Sequence, residues 1–323
     1  MIQKNSLKDS LEKNWISLVP YFVLIVLTVI MAVINPRTLS MRFIANKCDA
    51  AFSLVLVSIG QTFVLLSGGF DLSVGGVICV TNSLLAVNMG GGPGSIFLWC
   101  VICAFIGTAI GIFNGFVIAK AKMQPFIVTL ATQSACYGAA LLILKVDGGN
   151  IDPGFIKLLI SRFFGVPLSL ILMVILILLW LYVKRTNFGL ALYAVGSNEK
   201  AAHLNSINVF RTKLFAYGLS GFFAALVGIY RTAHVASGSP TAGASFVITS
   251  IVAAVLGGTA ISGGVGGIVG SVAGAFILRA ITDLLVFLKV SAYWTSLVQG
   301  ALLVAAVALT SYAKLRRTSE VAQ

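Results

Sequence analysis

From Ile96 to Ala119 the chain runs for 24 residues (96 to 119) without one Asp, Glu, Lys or Arg. As a helix, that stretch reaches about 36 Å, enough to cross a hydrocarbon core of about 30 Å. Similar apolar stretches, bounded by charges or by Gly and Pro clusters, fall at about 16–34, 50–66, 73–89, 95–119, 125–145, 166–183, 212–232, 245–261, 265–286 and 292–311. Only helices and closed barrels satisfy their backbone inside a bilayer, and these stretches are far longer than barrel strands. The expected fold is therefore an all-α polytopic membrane protein with about ten transmembrane helices. Charged residues make up 10% of the chain, against roughly 25% in a soluble domain, too few to cover a soluble surface.

Ten spans put both termini on one side, and the basic residues choose which. With the N-terminus inside, the inner segments hold Lys4, Lys8, Lys13, Lys120, Lys122, Lys184, Arg185, Lys200, Arg211, Lys213, Lys314, Arg316 and Arg317, 13 of the 22 Lys and Arg. The main contrary signal is Arg37, Arg42 and Lys47 together after the first span. The assignment is N-in and C-in. Residues 1–15 form a cytoplasmic amphipathic lead-in without a signal-peptide cleavage pattern, 16–312 the transmembrane domain, and 313–323 a cytoplasmic tail. The net charge of +13 follows from the positive-inside rule, so no nucleic-acid partner is inferred.

Enzymatic chemistry has little to work with. There is no GxxxxGK[ST] and no HExxH, and the only histidines, His203 and His234, are placed in loops on opposite sides. Neither a P-loop ATPase site, a metal site nor a Ser-His-Asp set is argued, and no cofactor is expected. Five cysteines suggest no disulfide framework, and the Cys100–Cys103 pair sits inside an apolar run, where helix packing is the simpler account. Of nine acidic residues, seven are placed in termini or loops, leaving Asp71 and Asp283. Asp283 stands four residues after Arg279, the spacing of a helix ion pair. Asp71 either caps the third span or faces a polar cavity, and the two roles are compatible. The amides Gln61, Asn82, Asn114, Gln133 and Gln299 lie within apolar spans, where they suit either helix-to-helix hydrogen bonds or a hydroxyl-rich solute.

Glycines interrupt two spans. Gly68 to Gly75 and Gly257 to Gly264 both fit GGxx[LI]SxG. This reads either as a weak internal repeat with backbone lining a pathway, or as two tight turns that need glycine's positive φ. Gln61, Gly68, Gly69, Asp71, Ser73, Asn114, Gly257, Gly258 and Ser262 are the translocation-pathway candidates. The longest polar stretch, Lys184 to Lys213, is the main inner loop. Within it Ser197 is the expected N-cap of a short helix carrying Ala201, Ala202 and Leu204. So short a helix buries little by itself, and a partner is expected on it.

The stretch Gly60 to Gly75, GQTFVLLSGGFDLSVG, resembles the signature of the ribose-type ABC importer permeases, relatives of the branched-chain amino acid permeases. Asn114 to Thr132, Phe188 to Gly221 and Ser237 to Ser271 are similar to that family in the same order. The resemblance implies a permease of the bacterial plasma membrane, paired with an identical or related second permease chain. It further implies a cytoplasmic ABC ATPase, a soluble solute-binding protein and a sugar or sugar-like substrate moved by alternating access. It also implies that the cytoplasmic coupling loop, about 184–211, docks on the ATPase through Gly196, Ser197, Asn198, Glu199, Ala201, His203 and Leu204, with Glu199 foremost. Departures from the family pattern are Gln124, Ser206 and Val265, the last removing a charge from an inner turn. An ion-gradient carrier and an amino-acid permease of the same superfamily are the rival expectations.

Overall fold

A computed structural model describes residues 7–90, 92–291, 294, 297, 298, 300, 301 and 304, with side chains from residue 18 onward. Twelve α-helices lie among them: α1 (Leu7–Ile34), α2 (Met41–Leu66), α3 (Val74–Asn88), α4 (Pro93–Ala121), α5 (Pro125–Ile143), α6 (Pro153–Leu159), α7 (Leu168–Val183), α8 (Asn187–Ser197), α9 (Glu199–Leu204), α10 (Val209–Val235), α11 (Phe246–Leu256) and α12 (Ile268–Phe287). The first nine expected spans each fall on one of these helices. The tenth, 292–311, and the tail 313–323 lie largely or wholly outside the described residues.

Five helices, α2, α4, α5, α10 and α12, are long and apolar enough to cross a membrane, and α7 with α8 makes a sixth if that pair, bent by 77°, is one span. Glycine breaks shorten α3 and α11 to 15 and 11 residues. The fold is all-α and polytopic, with one two-stranded hairpin, β1 (Arg162–Phe163) and β2 (Val166–Pro167), in which Arg162 pairs with Pro167 and Phe163 with Val166.

α2 is the central helix, 89% buried over its apolar window, with α10, α11 and α12 packed on it. Phe63 sits at the middle of this core, edge-on to Trp180 at 5.5 Å and stacked with Phe188 and Phe223. The most extensive helix contact is α4 with α10. Gly107, Gly111 and Gly115 on α4 lie against Gly221, Tyr217 and Leu214 on α10, so closely that a Cβ on Gly221 would stand 2.0 Å from the Gly107 carbonyl. In lipid no hydrophobic force draws helices together, and small residues every fourth position let backbones meet instead.

Three expectations need correction. His234 is not in a loop but in the last turn of α10, where its ring stacks on Tyr230 at 5.7 Å. α2 starts at Met41 rather than near residue 50, so Asp49 is not in a loop but inside the helix. It is buried, accepts from the Ser169 hydroxyl at 2.5 Å, and its backbone carbonyl accepts from Tyr230 at 3.1 Å. Ser197 is not the N-cap of the short loop helix: α8 runs through Ser197, and Asn198 caps α9 by accepting from the Ala201 N–H at 3.0 Å. The Arg279–Asp283 ion pair is present at 3.2 Å, and Lys47 joins it from α2 at 3.3 Å. This gives one of the contrary outer cations an internal partner.

Candidate functional site

The structure arranges the candidate residues in two groups, and backbone contact joins the groups. The first is the break between α2 and α3. Gly68, at φ +79, ends α2: its N–H donates to Leu65, and the Gly69 N–H donates to Val64. Glycine adopts this left-handed turn without a Cβ clash, and the pair of bonds closes the last carbonyls of the helix. Tyr217 fixes the next residues by donating to the Phe70 carbonyl at 3.0 Å, and its hydroxyl fills the space a side chain on Gly69 would need.

Asp71 follows, fully buried. Its Oδ1 accepts from the Ser73 N–H at 2.9 Å and the Ser73 hydroxyl at 2.5 Å. Asn114 on α4 donates to the same hydroxyl at 2.9 Å and accepts from Thr132 on α5 at 2.7 Å. One hydrogen-bonded chain thus connects the break to two neighbouring helices. Asp71 Oδ2 faces the Ser220 hydroxyl, and both amide atoms of Gln61 are buried with no hydrogen-bond partner among the described residues. A buried polar atom left unpaired costs about 1–3 kcal/mol. The Gln61 amide is stabilised by any rearrangement or solute that brings a donor and an acceptor to it.

The second group is the loop carrying α9. Glu199 forms an ion pair with Lys213 on α10 at 2.6 Å. Ala201 accepts from Asn205 at both its backbone N–H and its side-chain amide. His203 is exposed, and Leu204 is 84% exposed at the tip. Ser206 closes the loop at φ +62, which favours a small residue there.

Gly196 and Ser197, at the end of α8, connect the groups. A Cβ on Gly196 would lie 1.9 Å from the Leu66 carbonyl and 2.6 Å from the Gly264 nitrogen. The Gly264 N–H donates to that Leu66 carbonyl at 3.1 Å, and a Cβ on Gly263 would meet Gly196 and Gly68. Three chain segments therefore touch backbone to backbone at the C-terminal ends of α2 and α8 and in the break after α11. In that second break Gly258, at φ +87, ends α11 with the same bond pair that Gly68 makes, from Gly258 to Val255 and from Thr259 to Ala254. Gly257 packs on the backbone of Gly270, while Ser262 is exposed in the turn and apart from the Asp71 network.

Sequence reasoning missed two features. One is the Gly107, Gly111, Gly115 seam, legible as glycine every fourth residue. The other is Arg231, the charge near the end of the 212–232 stretch. Its guanidinium lies 5.5 Å over the Phe246 ring, lining a cavity of about 140 Å³ with Asn82, Asp147, Ser237 and Ser239.

Comparison with known proteins adds a family. A family described as "Branched-chain amino acid transport system / permease component" matches residues 44–307. The chain is 37% identical over 294 residues to the ribose import permease protein of Bacillus subtilis, covering 90% of this chain and 91% of that one. It is 32% identical over 292 residues to the ribose import permease protein of Escherichia coli K12, covering 88% and 90% of the two chains. It is also similar to the galactose/methyl galactoside import permease protein of Haemophilus influenzae, 30% identical with 97% of this chain and 98% of that one covered. No solved structure matches.

Proposed function

The chain belongs to the family of branched-chain amino acid transport system permease components, and from that premise we propose that it is the membrane-spanning subunit of an ABC importer for a sugar or sugar-like solute. The observation that carries the substrate class is the similarity along nearly the whole chain to permeases named for ribose and galactose. ATP hydrolysis falls to a separate cytoplasmic ATPase, since this chain has no P-loop motif. A solute-binding protein delivers the substrate on the outer side, and a second permease chain completes the pathway. The setting is the bacterial plasma membrane, with both termini in the cytoplasm.

In this reading α9 is the coupling helix. Leu204, apolar and exposed at its tip, seats in the ATPase, and the Glu199–Lys213 pair ties the helix to α10. ATP binding draws the two motor domains together and the docked loops move with them. The movement reaches the α2–α3 break through Gly196, which abuts Leu66 and Gly68. Asp71, Ser73 and Asn114 then exchange partners as the site passes from occluded to open. A ligand shifts such an equilibrium only by differential affinity for its states, so the loaded binding protein must prefer one of them.

The test is co-purification of the tagged chain from its native membrane, followed by reconstitution and uptake of labelled D-ribose, D-galactose and L-leucine. The expected result is ATP-dependent uptake of a monosaccharide that requires a co-purifying ATPase and binding protein. Uptake of leucine alone moves the chain to the amino-acid side of its family. Uptake by this chain alone under an ion gradient makes it a carrier and overturns the proposal.

A further inference from the structure

A groove of about 710 Å³ lies between α8 and the first turns of α10. Its walls are Phe188, Leu190 and Ala191 on one side and Phe215 and Leu219 on the other, with Arg211 at the rim. It is the size of a small-molecule site, yet nearly all hydrocarbon inside. Leu190 and Phe215 are 60% and 58% exposed, so the groove is open along its length. α8 leaves α7 at 77°, which turns it across the direction of α7.

Charge decides what fits. The segment from Lys184 to Lys213 holds five cations, Lys184, Arg185, Lys200, Arg211 and Lys213, and one acid, Glu199. Lys213 already takes up Glu199, and Arg211 is exposed and makes no ion pair among the described residues. An occupant must therefore be apolar along its body and anionic at the end that meets Arg211. In a membrane that description belongs to an anionic phospholipid of the inner leaflet.

We propose that the α8–α10 groove binds one anionic phospholipid, an acyl chain lying along the touching Phe188 and Phe215 rings, beside Leu190 and Leu219, and the phosphate on Arg211. Ser206, Ile207 and Asn208, the end of the loop that carries α9, close one side of the groove. Lipid bound there braces that loop. The proposal rests on the membrane placement of the chain and is independent of its substrate.

The experiment uses the purified full-length chain in detergent, titrated with palmitoyl-oleoyl phosphatidylglycerol or with phosphatidylcholine of the same chains, and read by native mass spectrometry. One phosphatidylglycerol should be retained at about fivefold lower concentration than phosphatidylcholine, the worth of roughly one basic residue at an anionic surface. Arg211→Gln should remove that preference, and Ala191→Trp, which fills the groove, should remove retention of both lipids. Equal retention of the two lipids, indifferent to Arg211→Gln, overturns the proposal. So does an Ala191→Trp chain that changes its oligomeric state while keeping its lipid, because a protein then occupies the groove.

Discussion

Gly196→Ala tests the connection between the segment that carries α8 and α9 and the α2–α3 break. The added methyl would stand 1.9 Å from the Leu66 carbonyl and 2.6 Å from the Gly264 nitrogen, and both obstacles are backbone, so no side chain can swing aside. Ordinary contact begins near 3.4 Å, so the segments must part by roughly 1.5 Å. That separation breaks the 3.1 Å bond from Gly264 to Leu66. Overpacking costs about 1–3 kcal/mol and the lost bond about 0.5–1.5 kcal/mol. The misfit is then about 1.5–4.5 kcal/mol, placed where the end of α8 meets the break. Since about 1.4 kcal/mol is tenfold in an equilibrium, solute-stimulated ATPase activity in proteoliposomes holding the complete transporter should fall at least about tenfold, with basal hydrolysis retained. Gly138→Ala is the control: it lies in α5 with nothing within 4 Å of a Cβ, and alanine favours a helix by about 0.5–1 kcal/mol. If Gly196→Ala matches that control in stimulation and melting temperature, the three-way backbone contact carries no coupling.

Substitutions at two further positions address the interior. Asp71→Asn keeps the acceptor for the Ser73 N–H and hydroxyl, so the chain should insert and melt like the parent while uptake falls at least about tenfold; Asp71→Ala removes both bonds and should also cost about 1–3 kcal/mol. Normal uptake by Asp71→Asn, measured with labelled solute in proteoliposomes, leaves Asp71 a helix cap only. Gly221→Ala puts a methyl 2.0 Å from the Gly107 carbonyl and should lower stability by about 1–3 kcal/mol. An unchanged melting temperature in detergent contradicts the close α4–α10 crossing.

What could be read from the residues alone was whatever depends on neighbours in the chain. Apolar length marks the helices, and glycine marks their breaks. The cap expected at Ser197 falls one residue on, at Asn198, because α8, capped by Thr186, runs through Ser197. Asp49 was missed for a related reason. A buried carboxylate in a helix reads like a loop residue until Ser169, 120 positions away, is seen to satisfy it. The two GGxx[LI]SxG strings are the sharper case. Aligned as letters they match Gly68 with Gly257, but the backbone matches Gly68 with Gly258, since those two residues hold the left-handed position and the same pair of capping bonds. The correspondence is therefore between two helix ends, one step out of register with the motif. Tight turns alone would account for Gly68 and Gly258, yet not for Gly196, which lies within α8 and is small because Leu66 and Gly264 press against it. Gly68 and Gly258 thus answer to a local demand, the left-handed turn that ends each helix, whereas Gly196 answers to contact between segments far apart in the chain.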